Sequence, residues 1–203
     1  MREADDALAA EIDAYGREVR ARLGATAGFE AAWTAVRPQL EDARDLYKAL
    51  GLDPTKTRPS NEALLRRVLK GEALYRVNTL VDALNLCSLR FQLPFGLYDL
   101  DQVQPPVVLR RGAAGEAYEG IRKGDVHVEG RPVLADARGA FGNPTSDSAR
   151  TMITTRTRRA LVTVYAPAAY ARTRLEKVLE GTEGTLTRFC GGTPAGRETL
   201  PRG

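Results

Sequence analysis

The chain is poor in the residues on which metal and nucleophile chemistry draw: its 203 residues include one histidine, two cysteines and one tryptophan. A single His127 and the pair Cys87 and Cys190 exclude zinc-finger pairs, His-built metal cages and a disulfide framework. No metal and no cofactor is expected. A Ser-His-Asp or Cys-His hydrolase would have to recruit His127, which lies in Asp125-Val126-His127-Val128-Glu129. Strict alternation there predicts a strand with the imidazole on the solvent side. Cys87, in an apolar run, reads as a small core hydrophobe rather than a nucleophile, and Cys190 before Gly191-Gly192 is less determined.

Also missing is any run approaching the ~18 apolar residues of a membrane span. The acidic start Met1-Arg2-Glu3-Ala4-Asp5-Asp6 has no apolar signal region, so the expectation is a cytoplasmic protein with no membrane partner. Thirty basic against 26 acidic residues leave a net charge of +4, compatible with a nucleic-acid partner without demanding one. Phosphate-binding glycine loops are absent: Gly112-Ala113-Ala114-Gly115 leads into a strand rather than opening a helix, which discards Walker and dinucleotide sites. Asp99 and Asp101 alternate along an extended segment and therefore face opposite sides, so they make no acid/base pair.

What is present begins with helices. Leu8, Ile12, Tyr15, Val19 and Leu23 recur at helical spacing over residues 4–23, with Gly24 as C-cap. Residues 29–50 form a second helical run that Pro38 should kink or divide. Ser60 is predicted to cap a short helix over residues 61–70, with Leu64, Leu65, Val68 and Leu69 inward and Arg66, Arg67 and Lys70 on a basic edge. That edge is either a phosphate-facing surface or a solvated helix face.

Asn78 caps a nearly all-apolar helix running to Phe91. On it Asn78, Asp82, Asn85 and Gln92 share one face, with Ser88 at its edge. Burying such groups unpaired costs about 1 to 3 kcal/mol each, so the stripe is either a hydrogen-bonded core network or the lining of a wet cavity.

Beyond residues 93–101 the pattern turns β-rich. Strands over residues 107–110, 117–121, 126–128 and 132–135, separated by glycine turns, predict an antiparallel meander. Residues 139–151 read as a long polar loop, residues 160–165 as a buried strand, 168–180 as an amphipathic helix ended by Gly181, and 185–189 as a last strand. The expected architecture is α+β: a layered sandwich with a central, mostly antiparallel sheet and flanking helices. It forms one domain over residues 1–190, with a helical extension over 1–50 and a flexible tail over 191–203.

Three ordered blocks carry a resemblance to a known family. Residues 61–71 (NEALLRRVLKG), 78–86 (NTLVDALNL) and 93–101 (LPFGLYDLD) together resemble the B3/B4 domain of the bacterial phenylalanyl-tRNA synthetase beta subunit, and most closely its free-standing relatives. The resemblance covers residues 40–190. It implies the layered α+β fold and a hydrolytic editing site that removes a wrongly attached amino acid from a tRNA 3′ end; the free-standing relatives imply editing in trans. Two departures stand out. Where the synthetase motif has a His after its Pro this chain has Gly96, and where it has an acidic residue after a glycine pair this chain has Ala149.

The resemblance turns the polar stripe into a candidate substrate pocket: Asn78, Asp82, Asn85, Ser88, Gly96, Tyr98, Asp99, Arg150 and Thr151. Asp82 would serve as a base or grip the ammonium of the amino acid, and backbone amides near Gly96 or in residues 146–151 would donate to the oxyanion. The tRNA would be held by Arg66, Arg67, Lys70, Arg76, Arg110, Arg111, Arg156, Arg158 and Arg159. Besides this tRNA deacylase, a non-catalytic module binding tRNA or an amino acid and a small-molecule-binding protein remain open.

Overall fold

In the computed structural model the described residues are 5–23 and 28–200; the predicted helix start at Ala4, the Gly24 cap and the last three residues of the tail lie outside them. Helix α1 (Asp6–Arg22) begins where the Asp5 carboxylate accepts the Leu8 N–H at 2.8 Å. It buries Leu8, Ile12 and Val19, as their spacing predicts.

Helix α2 (Phe29–Ala49) runs unbroken through Pro38. Pro38 sits on the exposed side while Val36 and Leu40 are buried, so packing on the opposite face holds the helix together where the sequence alone predicts a division. Helix α3 is Ser60–Leu69, and Ser60 is its first residue rather than its cap: Pro59 holds the cap position, with no side-chain cap bond. Helix α4 (Thr79–Phe91) starts as predicted, the Asn78 amide oxygen accepting from the Leu80 and Val81 N–H groups at 3.1 and 3.0 Å. α1, α2, α3 and α4 close on one apolar core around Leu8, Leu40, Leu65, Leu86 and Leu89.

The β half departs from a meander. Strands β1 (Phe95–Asp99) and β8 (Ala160–Val164) form an antiparallel pair. β2 (Val108–Arg111), β5 (Pro132–Asp136), β6 (Gly139–Asn143) and β7 (Ser146–Asp147) make a four-stranded sheet in that order. β3 (Ala117–Glu119) and β4 (Asp125–His127) stand apart as a hairpin inserted between β2 and β5. β2 thus bypasses its sequence neighbours because the hairpin packs Tyr118 and Val126 against Val133, Ala135 and Ala140 of the larger sheet.

Residues 139–151 are not a loop. They form β6, β7 and a 3-10 turn at Ala149–Thr151, because Ala140, Phe141, Gly142 and Asn143 are buried and the Asn143 side chain makes a tight turn by accepting from Thr145 and Ser146 N–H. β8 is half-buried rather than buried, since it pairs on one side only.

The predicted short helix and last strand are instead one helix, α5 (Arg172–Cys190), running through Gly181. Val178, Thr182, Thr185 and Phe189 share its buried face at helical spacing, and a Cβ on Gly181 would lie 2.5 Å from the Phe91 Cζ, so the glycine is there for close approach to α4 and not as a stop. Gly191, at φ 64°, ends the helix. Residues 191–200 carry almost no regular structure and are mostly exposed.

Candidate functional site

A cleft of about 520 Å³ opens between the hairpin and the four-stranded sheet. Three separate segments line it: residues 116–119 entering and forming β3, residues 138–140 at the β5–β6 turn, and residues 148–150 where β7 passes into the 3-10 turn. Two ion pairs hold these walls. Arg110 donates to both oxygens of Glu116 at 2.7 Å, and Glu116 also accepts from the Ala113 and Ala140 N–H groups. The Arg110 bonds hold the Glu116 pKa down at about 2. Arg150 donates to both oxygens of Asp136 at 2.9 and 3.0 Å. Burial works to raise the Asp136 pKa, but the Arg150 bonds and the Gln104 and Arg138 N–H groups outweigh it and hold the carboxyl below its usual range.

Behind the lip formed by Ser148, Ala149 and Arg150 lies a cluster of tyrosines. The Tyr98 and Tyr165 hydroxyls are 2.9 Å apart, Tyr118 donates to the Ser146 carbonyl at 2.6 Å, and Tyr47 donates to the Pro144 carbonyl at 2.8 Å. The Asp147 carboxyl accepts from the Tyr98 hydroxyl and the Leu97 N–H. Asp147 keeps partial solvent contact as a residue, yet dense packing around its carboxyl pushes the pKa up to about 7 against these hydrogen bonds and the Lys123 charge.

Of the nine pocket residues read from the sequence, Arg150 lines the cleft and the others do not. Asn78 caps α4, the Ser88 hydroxyl donates to the Leu93 carbonyl at 2.8 Å, and Asp82 accepts the Val77 N–H at 3.0 Å while burial raises its pKa. Gln92, the remaining member of the stripe, donates to the Leu89 carbonyl and meets Asn61. The stripe is for the most part a hydrogen-bonded network; Asn85 is half-buried and has no side-chain partner among the described residues. Asp99 accepts from Thr157 Oγ1 at 2.6 Å and from the Asp101 N–H. Thr151 is fully buried and its hydroxyl has no partner among the described residues.

Gly96 and Gly142 flank Tyr98, whose ring takes the space a side chain at either position would need. The amides proposed as oxyanion donors are largely spoken for. Gly96 lies in the β1–β8 ladder, Ser146 N–H goes to Asn143, Ser148 N–H to the Phe141 carbonyl, and Arg150 N–H to the Ser148 hydroxyl.

The nine cations read as RNA contacts divide in the same way. Arg66 stacks over Phe29 and Trp33 at 4.7 Å from each ring, Lys70 reaches Phe29, and Arg67 packs on Tyr75 and pairs with Glu72. Arg76 pairs with Asp13 and Arg110 with Glu116, while Arg111 donates to the Gly130 carbonyl. Arg156, Arg158 and Arg159 are exposed together before β8; Arg159 pairs with Asp101, Arg158 bonds nearby carbonyls, and the Arg156 guanidinium has no partner among the described residues.

His127 is exposed on β4, opposite Ala117 and outside the cleft lining. Cys87 is buried, as its apolar setting predicts. The described residues contain no cluster of three or more His, Cys, Asp or Glu placed to hold a metal, and none of their helices is long and apolar enough to cross a membrane.

Comparison with known proteins returns a match to the B3/4 domain model over residues 42–182. Among solved structures, the chain is similar to an N-terminal fragment of the phenylalanyl-tRNA synthetase beta-subunit from Pyrococcus horikoshii. Identity is 19% and the TM-score 0.45, over 56% of this chain and 41% of that one. The chain thus spans less than half the length of that structure. No curated protein matches it.

Proposed function

The chain belongs to the B3/4 domain family, and from that premise we propose that it binds the aminoacylated 3′ end of a tRNA and hydrolyses a wrongly attached amino acid from it in trans. Water adds to the ester carbonyl, the acyl C–O bond breaks, and the amino acid leaves as its acid while the ribose hydroxyl takes the proton. In this reading the protein works in cytoplasmic translation quality control.

One observation carries the reading. The cleft of about 520 Å³ falls within the ~300–1,000 Å³ of small-molecule sites, and its lip includes Ala149, the position where the resembling domain carries an acidic residue. The reading assigns the acyl group to the cleft beside Arg150, with Thr151 just behind the lip. Asp82 and Asn85 form a second contact at the start of α4, and Asn78, Ser88, Gly96, Tyr98 and Asp99 shape the frame between the two. Arg156, Arg158 and Arg159, exposed together, take the RNA backbone.

A non-catalytic tRNA- or amino-acid-binding module is the second reading. It is favoured by a cleft lining that contains no histidine and whose Glu116 and Arg150 are already committed to ion pairs.

The test is amino-acid release from a panel of correctly and incorrectly charged tRNAs, with Asp82→Ala and Asn85→Ala beside the wild type. Release from one mischarged species supports editing and names its substrate, and loss of release in either variant with RNA affinity intact places the second contact. RNA binding without release from any species supports the module.

A further inference from the structure

The walls of the cleft differ in their backbone. In the β3–β4 hairpin the Val128 N–H donates to the Glu116 carbonyl at 2.9 Å and the Gly120 N–H to the Gly124 carbonyl at 3.2 Å, so Glu116 and Gly120 turn their peptide groups toward β4. Successive residues of a strand turn to opposite edges, which aims the N–H and C=O of Ala117 away from β4, on the side of the lip. There they have no hydrogen-bond partner among the described residues. An open strand edge is a ready template for another backbone.

The free stretch is short: Glu119, the next residue on this edge, turns the same way as Ala117, and its N–H has no partner among the described residues. Above that stretch Gly120 bridges Ser148 and the Ile121 N–H donates to the Asp147 carbonyl at 3.2 Å; below it the Glu116 N–H turns back to Ala113 at 3.1 Å. An extended peptide needs several free residues in a row, whereas a ligand with one acceptor beside one donor needs only Ala117. The charges at the rim narrow the choice. The Glu119 carboxylate and the Arg138 guanidinium both line the cleft, are exposed, and have no ion-pair partner among the described residues.

We propose that the β3 edge reads an α-aminoacyl group: the Ala117 N–H donates to its carbonyl oxygen, the Ala117 C=O accepts from its α-ammonium, and the Glu119 carboxylate balances the ammonium charge. Arg138 then meets a phosphate of the 3′-terminal nucleotides. This rests on the reading that the cleft takes the charged end of a tRNA. It replaces the amides near Gly96 and in residues 146–151, whose donors are largely engaged, with one that is free. A donor aimed at an ester carbonyl gains strength as the oxygen takes on charge, so the same contact serves binding and hydrolysis.

The experiment titrates the ¹⁵N-labelled full chain with 3′-deoxy-3′-(L-alanylamino)adenosine and its seryl and tyrosyl forms, whose amide link replaces the labile ester. At least one is expected to move the Ala117 and Glu119 amide resonances saturably. N-acetylation of that compound should abolish the effect, and Glu119→Gln should weaken binding at least about tenfold, as loss of a charge-assisted contact does. Shifts that leave Ala117 and Glu119 unmoved, equal binding of the acetylated compound, trialanine binding as tightly, or no saturable shift with any of the three overturns the proposal.

A second measurement separates this proposal from the deacylase reading. Ala117→Pro deletes the free N–H without breaking a ladder bond, a position where a strand tolerates proline. With the thermal midpoint preserved, turnover is expected to fall about 10²–10³-fold. Release by the wild type that survives in Ala117→Pro overturns the Ala117 edge and leaves the deacylase standing. Amide shifts without release from any tRNA overturn hydrolysis and leave the edge standing.

Discussion

The phenol of Tyr98 lies wedged between two glycines: a Cβ on Gly142 would sit 2.6 Å from its Cζ, and one on Gly96 2.8 Å. Gly96 and Tyr98 stand two residues apart on the same face of β1, so the ring lies over the bare position 96. Tyr98 is fully buried, meets Phe141 edge-on at 4.9 Å, and bonds Tyr165. Gly142→Ala therefore overpacks a filled site and should cost about 1–3 kcal/mol in urea denaturation. Gly96→His should destabilise further, and Tyr98→Ala combined with it should recover part of the loss; strict additivity of the two would contradict the wedge.

Asp147 makes stability depend on pH near neutrality. Its folded pKa of about 7 stands above the ordinary 3.8, so between those values the native state holds a proton that the unfolded chain has released. The stability this group contributes is greatest below about pH 4, falls as the pH rises toward 7, and is flat above. The groups facing it are Tyr98 from β1, Tyr165 after β8, Tyr118 from β3 and Lys123 from the β3–β4 turn. Asp147→Asn cannot titrate, so wild-type stability measured against it should decline between pH 4.5 and 7.5. A difference that does not change with pH would remove Asp147 from this role.

Arg150 and Asp136 form a pair whose carboxylate side chain is 0% exposed. Removing the cation strands that charge, so Arg150→Ala should cost about 3–5 kcal/mol in denaturant unfolding. Asp136→Asn should be milder, because a neutral amide strands no buried charge, although it keeps an oxygen for only one of the Gln104 and Arg138 N–H groups, which bond Oδ2 and Oδ1 separately.

Among the cations, stability and RNA affinity should separate. Arg66 spans Phe29 and Trp33, so Arg66→Ala should cost about 0.5–2 kcal/mol of stability. Arg156 has no partner among the described residues, so Arg156→Ala should leave the thermal midpoint unchanged and lower the salt slope of tRNA binding by about one. Equal stability losses in the two variants would argue against this division.

Local chemistry carried most of the helical half. The Asn78 cap and the apolar spacing of α1 and α2 each depend on neighbours within a few residues, and both were legible from the sequence, whereas β1 lies inside the segment read as a loop entering a strand. The strand segments between glycine turns were legible too, because alternation records which face is buried. Alternation does not record which strand is the partner, and so β2 found β5 across an inserted hairpin instead of joining a meander. Two glycines misled for a related reason. Gly181 and Gly139 look like breaks in one dimension, but the first admits the Phe91 ring and the second opens a buried strand.

The candidate site shows the same division. Polar residues on α4 were visible as a stripe, yet whether each pairs or faces a cavity depends on how the flanking backbone at Val77 and Leu93 folds back on the helix and on Asn61 arriving from α3. The cleft draws on three segments up to 34 residues apart (116 to 150), and its free peptide group at Ala117 has no signature at all. An amide is the same in every residue but proline. Only the tertiary arrangement decides which strand edge stays uncovered, because that is set by what packs beside it and not by the residue that carries it.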